Sequence, residues 1–67
     1  MITTLHFSEI EHNGDLDRAY DAIYINGGII MSKQVNYEAE TAEISVRHDQ
    51  DNEVFKKKVY EAYWSNG

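Results

Sequence analysis

The segment Ala42–His48, AEISVRH, alternates with a period of two: Ala42, Ile44, Val46 and His48 on one side, Glu43, Ser45 and Arg47 on the other. Successive side chains of a strand point to opposite faces, so this run reads as a strand with one buried and one wetted face. Before it, IIMSKQVNY is rich in β-formers, with Ile30, Ser32 and Gln34 opposite Ile29, Met31, Lys33, Val35 and Tyr37. The polar EAET corner joins the two runs into an antiparallel hairpin. Residues 2–10, ITTLHFSEI, read as another strand, Leu5 and Phe7 alternating with His6 and Ser8, until His12-Asn13-Gly14 breaks the run.

Two further segments carry the helical period. In DLDRAYDAIYINGG, Leu16, Ala19, Tyr20, Ile23 and Tyr24 form an amphipathic stripe. Asn13 or Asp15 can cap its start, and Gly27 or Gly28 can supply a left-handed stop. The rival is a hairpin turning at Asn26-Gly27-Gly28. A strand, however, would set Asp21 beside Ala19 and Ile23 on one face, which favours the helix. At the end of the chain, Asp51 or Asn52 opens a helix whose stripe is Phe55, Val59, Ala62 and Tyr63, and Ser65-Asn66-Gly67 ends it. The expected fold is α+β: a single domain over residues 1–67 in the order β-α-β-β-α. Its three-stranded, mainly antiparallel sheet carries helices on one face. A β-meander with one terminal helix is the alternative.

A domain of 67 residues buries only about 60% of its unfolded surface, so its stability margin is thin. Without cysteine it has neither disulfides nor thiolate metal sites. Tight aromatic packing and homodimer formation are the compensations that remain. Absence of cysteine also fits a reducing cytosol. No basic, apolar leader opens the sequence, and the longest uninterrupted apolar run is Ala22–Ile25, against the roughly 20 residues a membrane span needs. A cytoplasmic protein without membrane contact is expected. Twelve acids against six bases give a formal net charge of −6. Such a surface repels nucleic acids and anionic lipids and attracts basic partners.

Catalytic signatures are missing. His6, His12 and His48 lack the tight spacing of a zinc site. HDQDNEVF alternates acids like a calcium loop, but Val54 stands where that loop needs glycine and Tyr60 where it needs glutamate. No serine has the flanking glycines of a nucleophile elbow. Asn26-Gly27-Gly28 lacks the spacing and the Lys-Ser/Thr pair of a phosphate loop. Lys56, Lys57 and Lys58 fan across about 200° of a helix and cannot all face one phosphate track. Neither a metal, a cofactor nor an enzymatic activity is expected.

Two features remain as candidate partner-binding surfaces. The first is acidic: Glu9, Glu11, Asp15, Asp17 and Asp21, with Glu38, Glu40 and Glu43 at the hairpin corner extending the track. Helix-dipole stabilisation accounts for Asp15 and Asp17, and edge-strand protection for Glu9 and Glu11. Asp21, one turn beyond Asp17, is explained by neither. On a strand, Glu9 and Glu11 would project about 6.6 Å apart from one face. Spaced charges of that kind imitate a nucleic-acid backbone. In size and charge the chain resembles small viral proteins that mimic DNA and inhibit nucleic-acid-binding proteins, which implies a basic protein partner. The second feature is aromatic: Tyr60 and Trp64 share a helix face offset from the core stripe, as a docking patch of a structural or regulatory subunit would.

Overall fold

The computed structural model describes residues 1–65. Five elements follow in order: β1 (Ile2–Phe7), α1 (Asn13–Ile25), β2 (Ile29–Asn36), β3 (Thr41–Arg47) and α2 (Asn52–Ser65). The sheet runs β1-β3-β2, with β3 antiparallel to both neighbours. The first two strands are therefore parallel, joined through α1, and leave a slot one strand wide. β3 returns from a tight corner to fill it. This is the α+β order expected from the sequence, and the meander alternative falls away because residues 13–25 are helical.

The alternation of β3 decides which side is dry. Ala42, Ile44 and Val46 are buried, together with Leu5 and Phe7 of β1, and both helices cover this face. Phe55, Val59 and Tyr63 of α2 and Leu16, Ala19, Ala22 and Ile23 of α1 complete the core. Each fully buried large side chain contributes about 1.5–3 kcal/mol. Alanines at 19 and 22, both without exposed surface, let α2 lie close against α1.

β2 departs from simple alternation. Ile30 and Val35 are an odd number of residues apart, so a regular strand would send them to opposite faces. The register slips between Ile30 and Ser32, leaving Met31 as an extra residue. Ile30 then pairs with Val46 and Val35 with Ala42, both partly buried against the core. The bulge thus corrects the opposition of Ile30 and Val35 read from the sequence.

Three other boundaries differ from expectation. β1 stops at Phe7 rather than continuing to residue 10. Glu9 takes a left-handed backbone (φ 59°), and Ile10 turns inward with no exposed surface. The Tyr63 hydroxyl donates to the Ser8 carbonyl at 3.1 Å, holding the chain where it leaves the sheet. α1 is capped by His12, not by Asn13 or Asp15: its Nδ1 accepts the Gly14 N–H at 3.1 Å. At the other end the expected glycine stop is present. Gly27 (φ 83°) donates to the Tyr24 carbonyl and Gly28 to that of Ile23, the paired bonds of a Schellman motif. α2 opens as expected, with Asp51 Oδ1 accepting from the Glu53 and Val54 N–H groups. Of the Ser65-Asn66-Gly67 stop, Asn66 and Gly67 lie outside the described residues. Among the described residues, no helix is long and apolar enough to cross a membrane.

Candidate acidic interface

The loop of residues 8–12 and the corner of residues 37–40 meet at one end of the molecule. The Ile10 N–H donates to the Glu40 carbonyl at 2.9 Å, and the Tyr37 hydroxyl donates to Asn13 Oδ1 at 2.6 Å. Buried Ile10 anchors the loop, so Glu9 and Glu11 on either side of it remain exposed. Glu38 and Glu40 are exposed on the adjoining corner. Glu40 is also left-handed (φ 58°), and such a conformation costs a residue with a Cβ roughly 1–2 kcal/mol. Two of the four carboxylates at this end therefore stand on strained backbone. None of the four has a lysine, arginine or histidine within ion-pair distance among the described residues.

From Asn13 the acidic surface continues along α1. Asp17 and Asp21 follow at successive turns, about 6 Å apart along the axis, both exposed and without an ion-pair partner among the described residues. Because Tyr37 is bonded to Asn13, the corner carboxylates and this flank belong to one side of the molecule. The edge-strand spacing foreseen for Glu9 and Glu11 does not exist, since both lie in a loop; burial of Ile10 between them overrides the β pattern.

Asp15 does not belong to the exposed set. It is only 8% exposed, and its carboxylate is occupied on three sides. It accepts the Glu11 N–H at 3.0 Å and the Arg18 guanidinium at 3.1 Å, with His12 Nε2 at 3.7 Å. The Glu11 N–H is the main reason its pKa lies below the ordinary 3.8; burial opposes this, while His12 and Arg18 reinforce it. Arg18 is in turn fixed over the Tyr63 ring, 4.6 Å from its centroid, and donates to the Tyr63 carbonyl. Asp15 thus ties the acidic loop to both helices. A folded-state pKa below the unfolded one stabilises the fold above the unfolded value, and the gain disappears as pH falls through the folded value. The stability difference between wild type and Asp15→Asn is therefore expected to be present above the ordinary 3.8 and to narrow as pH falls below it, as read by chemical denaturation across pH. A difference that fails to narrow below that value would contradict this role.

Glu43 projects from the central strand onto the bare face of the sheet, where His6 Nδ1 lies 3.2 Å from its carboxylate; it is already paired, unlike the carboxylates of the loop and corner. Tyr60 is half buried. Its ring packs edge-on against Phe7, and its hydroxyl accepts the His6 N–H at 3.0 Å. Trp64 is 49% exposed, set edge-on against Tyr63. Tyr24 (59%) is more exposed than Trp64, and Tyr37 (47%) about equally so, both beside the outer edge of β2. Sequence reading missed Tyr37 as the tie between corner and helix. The signal for Ile10 was present, as a lone large apolar residue inside an acidic run.

Lys33 of β2 points to the helix side, its Nζ 5.3 Å from the Tyr20 ring centroid. Its pKa is raised, chiefly by the Tyr20 hydroxyl, with Tyr37 and Tyr24 adding and burial opposing. A shallow hollow of about 470 Å³ at the corner is lined by Gln34, Asn36, Glu38 and Glu43 among others, and has no basic side chain in its wall. Among the described residues, no group of three or more His, Asp or Glu side chains is placed to hold a metal. No protein-family model, curated protein or solved structure matches the chain.

Proposed function

We propose that this is a non-enzymatic interaction protein that captures a basic protein partner through its acidic end. In its sharpest form it is a DNA-mimicking inhibitor that occupies the nucleic-acid groove of an intracellular partner. The observation that carries the reading is the Ile10–Glu40 main-chain bond, which gathers Glu9, Glu11, Glu38 and Glu40, none of them with a cation at ion-pair distance among the described residues. Asp17 and Asp21 extend the same field along α1. Unpaired carboxylates on one side raise the rate of encounter with a cationic groove more than they tighten the final complex.

A pull-down from lysate at low and high salt, followed by kinetics with the recovered protein, tests this. Association is expected to slow by about tenfold or more between low and high ionic strength, and flat kinetics would reject it. Glu9→Gly and Glu40→Gly sharpen the test. Each relieves a left-handed residue, so each is expected to stabilise the fold by about 0.5–1 kcal/mol while weakening capture. Variants that bind as well as wild type would show that these carboxylates are solvated surface.

A second reading, a regulatory subunit docking through aromatics, is favoured by the exposure of Trp64. Tyr60 contributes less to it, because its hydroxyl and ring are engaged within the fold. Under that reading Trp64→Ala weakens association, whereas charge reversal at Asp17 and Asp21 leaves it unchanged.

A further inference from the structure

The hydrogen-bond phase of the sheet determines which main-chain groups are free. Met1 and His48 exchange both main-chain bonds, at 2.7 and 2.9 Å. Antiparallel pairs alternate between bonded and non-bonded, so Val46, Ile44 and Ala42 bond to β1, while Arg47, Ser45, Glu43 and Thr41 bond to β2. The β2 partners of the latter are Ile29, Ser32, Gln34 and Asn36. The N–H and C=O groups of Lys33 and Val35 therefore point outward from the open edge. On the opposite edge, the outward N–H of His6 is already taken by the Tyr60 hydroxyl.

Helix α1 overhangs the open edge. Tyr20 meets Lys33, and Asn13 is bonded to Tyr37, so the helix flank between them looks out over β2. Asp17 and Tyr24 lie on that flank, with Asp21 next around the helix. The Lys33 ammonium lies over the Tyr20 ring and does not cross the edge. An open strand edge thus runs beneath exposed phenols and carboxylates that have no ion-pair partner among the described residues.

We propose that the partner binds by adding an extended, cationic segment to β2 as a fourth strand, its main chain on Lys33 and Val35 and its basic side chains on Asp17, Asp21, Tyr24 and Tyr37. This rests on the reading above of a basic partner and supplies its mode of recognition. Main-chain bonds give such an addition its affinity, and alternate side chains give it specificity. Arginine suits the overhang, since its guanidinium pairs with carboxylates and stacks on aromatic faces. Charge also selects the occupant. A second copy on this edge would bring its own α1 alongside, setting Asp17 and Asp21 against their equivalents. The Met31 bulge confines the added strand to the Ser32–Asn36 half of β2, which is the half nearest the acidic end.

Amide hydrogen exchange of the full chain, with and without a seven-residue peptide alternating arginine and valine at low salt, tests the proposal. The Lys33 and Val35 amides are expected to slow by about tenfold or more, while Gln34, already bonded to Glu43, changes little. Lys33→Pro removes an outward N–H at an edge position and leaves the ladder to β3 intact. It also removes a positive charge, so capture by charge alone would be unchanged or tighter, whereas strand addition is expected to weaken by about tenfold. Thermal unfolding checks that the variant folds, and the wild-type exchange data decide the matter if it does not. Peptide binding that leaves the Lys33 and Val35 amides at their free rates overturns strand addition while the acidic-capture reading survives. Absence of peptide binding at low salt overturns both.

Discussion

Gly28→Ala is expected to lower the stability of the domain by about 3 kcal/mol, read as a fall in the denaturation midpoint. Gly28 sits where α1 hands over to β2, beneath α2. A Cβ there would come within 2.6 Å of Ile23 Cγ2 and Val46 Cγ1, and 2.9 Å of Phe55 Cζ. Those atoms belong to three elements, all with fully buried side chains, so none can yield without disturbing the core. The neighbouring Gly27 is a control of a different kind. Its φ of 83° strains any residue with a side chain, but nothing lies within 4 Å of the added carbon. Gly27→Ala is expected to cost only about 1 kcal/mol. Equal losses at the two positions would show that close packing beneath α2 is not what requires the glycine.

The second large effect belongs to His48, which is buried just beyond β3 and joins four segments of the chain. Its Nδ1 accepts the Gln50 N–H at 3.1 Å, so Nε2 carries the hydrogen and donates to Thr3 Oγ1 at 2.7 Å. Thr3 passes its own hydrogen to Asn52 Oδ1, also at 2.7 Å, at the start of α2. The imidazole stacks on Phe55, with centroids 3.9 Å apart and planes 6° from parallel. Gln50 completes the join by donating to the Asn26 carbonyl at the end of α1. His48→Ala leaves a cavity beside Phe55 and strips partners from Thr3 and Gln50, for an expected loss of about 3 kcal/mol. His48→Phe keeps the stack and loses the bonds, so it is expected to recover about half of that loss by chemical denaturation. If the phenylalanine variant proves as stable as wild type, the polar chain contributes nothing and the residue is a packing block.

What could be read from the residues depended on whether a local pattern was left to act alone. The alternation of Ala42–His48 was legible because β3 has neighbours on both edges and a single dry face, so periodicity and burial agree. The stripe Phe55, Val59, Tyr63 was legible for the same reason. The bulge at Met31 was not, because it answers to Val46 and Ser45 on the neighbouring strand and not to its own neighbours in sequence. Residues 8–11 misled in the opposite sense. Their composition continues a strand, but Ile10 gains more from a place in the core than from extending an edge. Asp15 and Asp17, two residues apart and alike in sequence, part company in space, one bound to Arg18 and Glu11, the other facing solvent. The acidic end was legible as charge. Its assembly from two distant loops was not, since nothing near Glu40 foretells the Ile10 bond.

The position of β3 has a consequence for how the chain reaches this shape. Both outer strands pair with a segment that emerges from the ribosome after them, and β1 must wait through some forty residues for its match. The short-range β2–β3 ribbon can close early, whereas docking of β1 spans nearly the whole molecule and is expected to be the late, slow event. A chain halted before residue 41 would present two strands with no mate, and recruitment by other chains is the hazard of that interval.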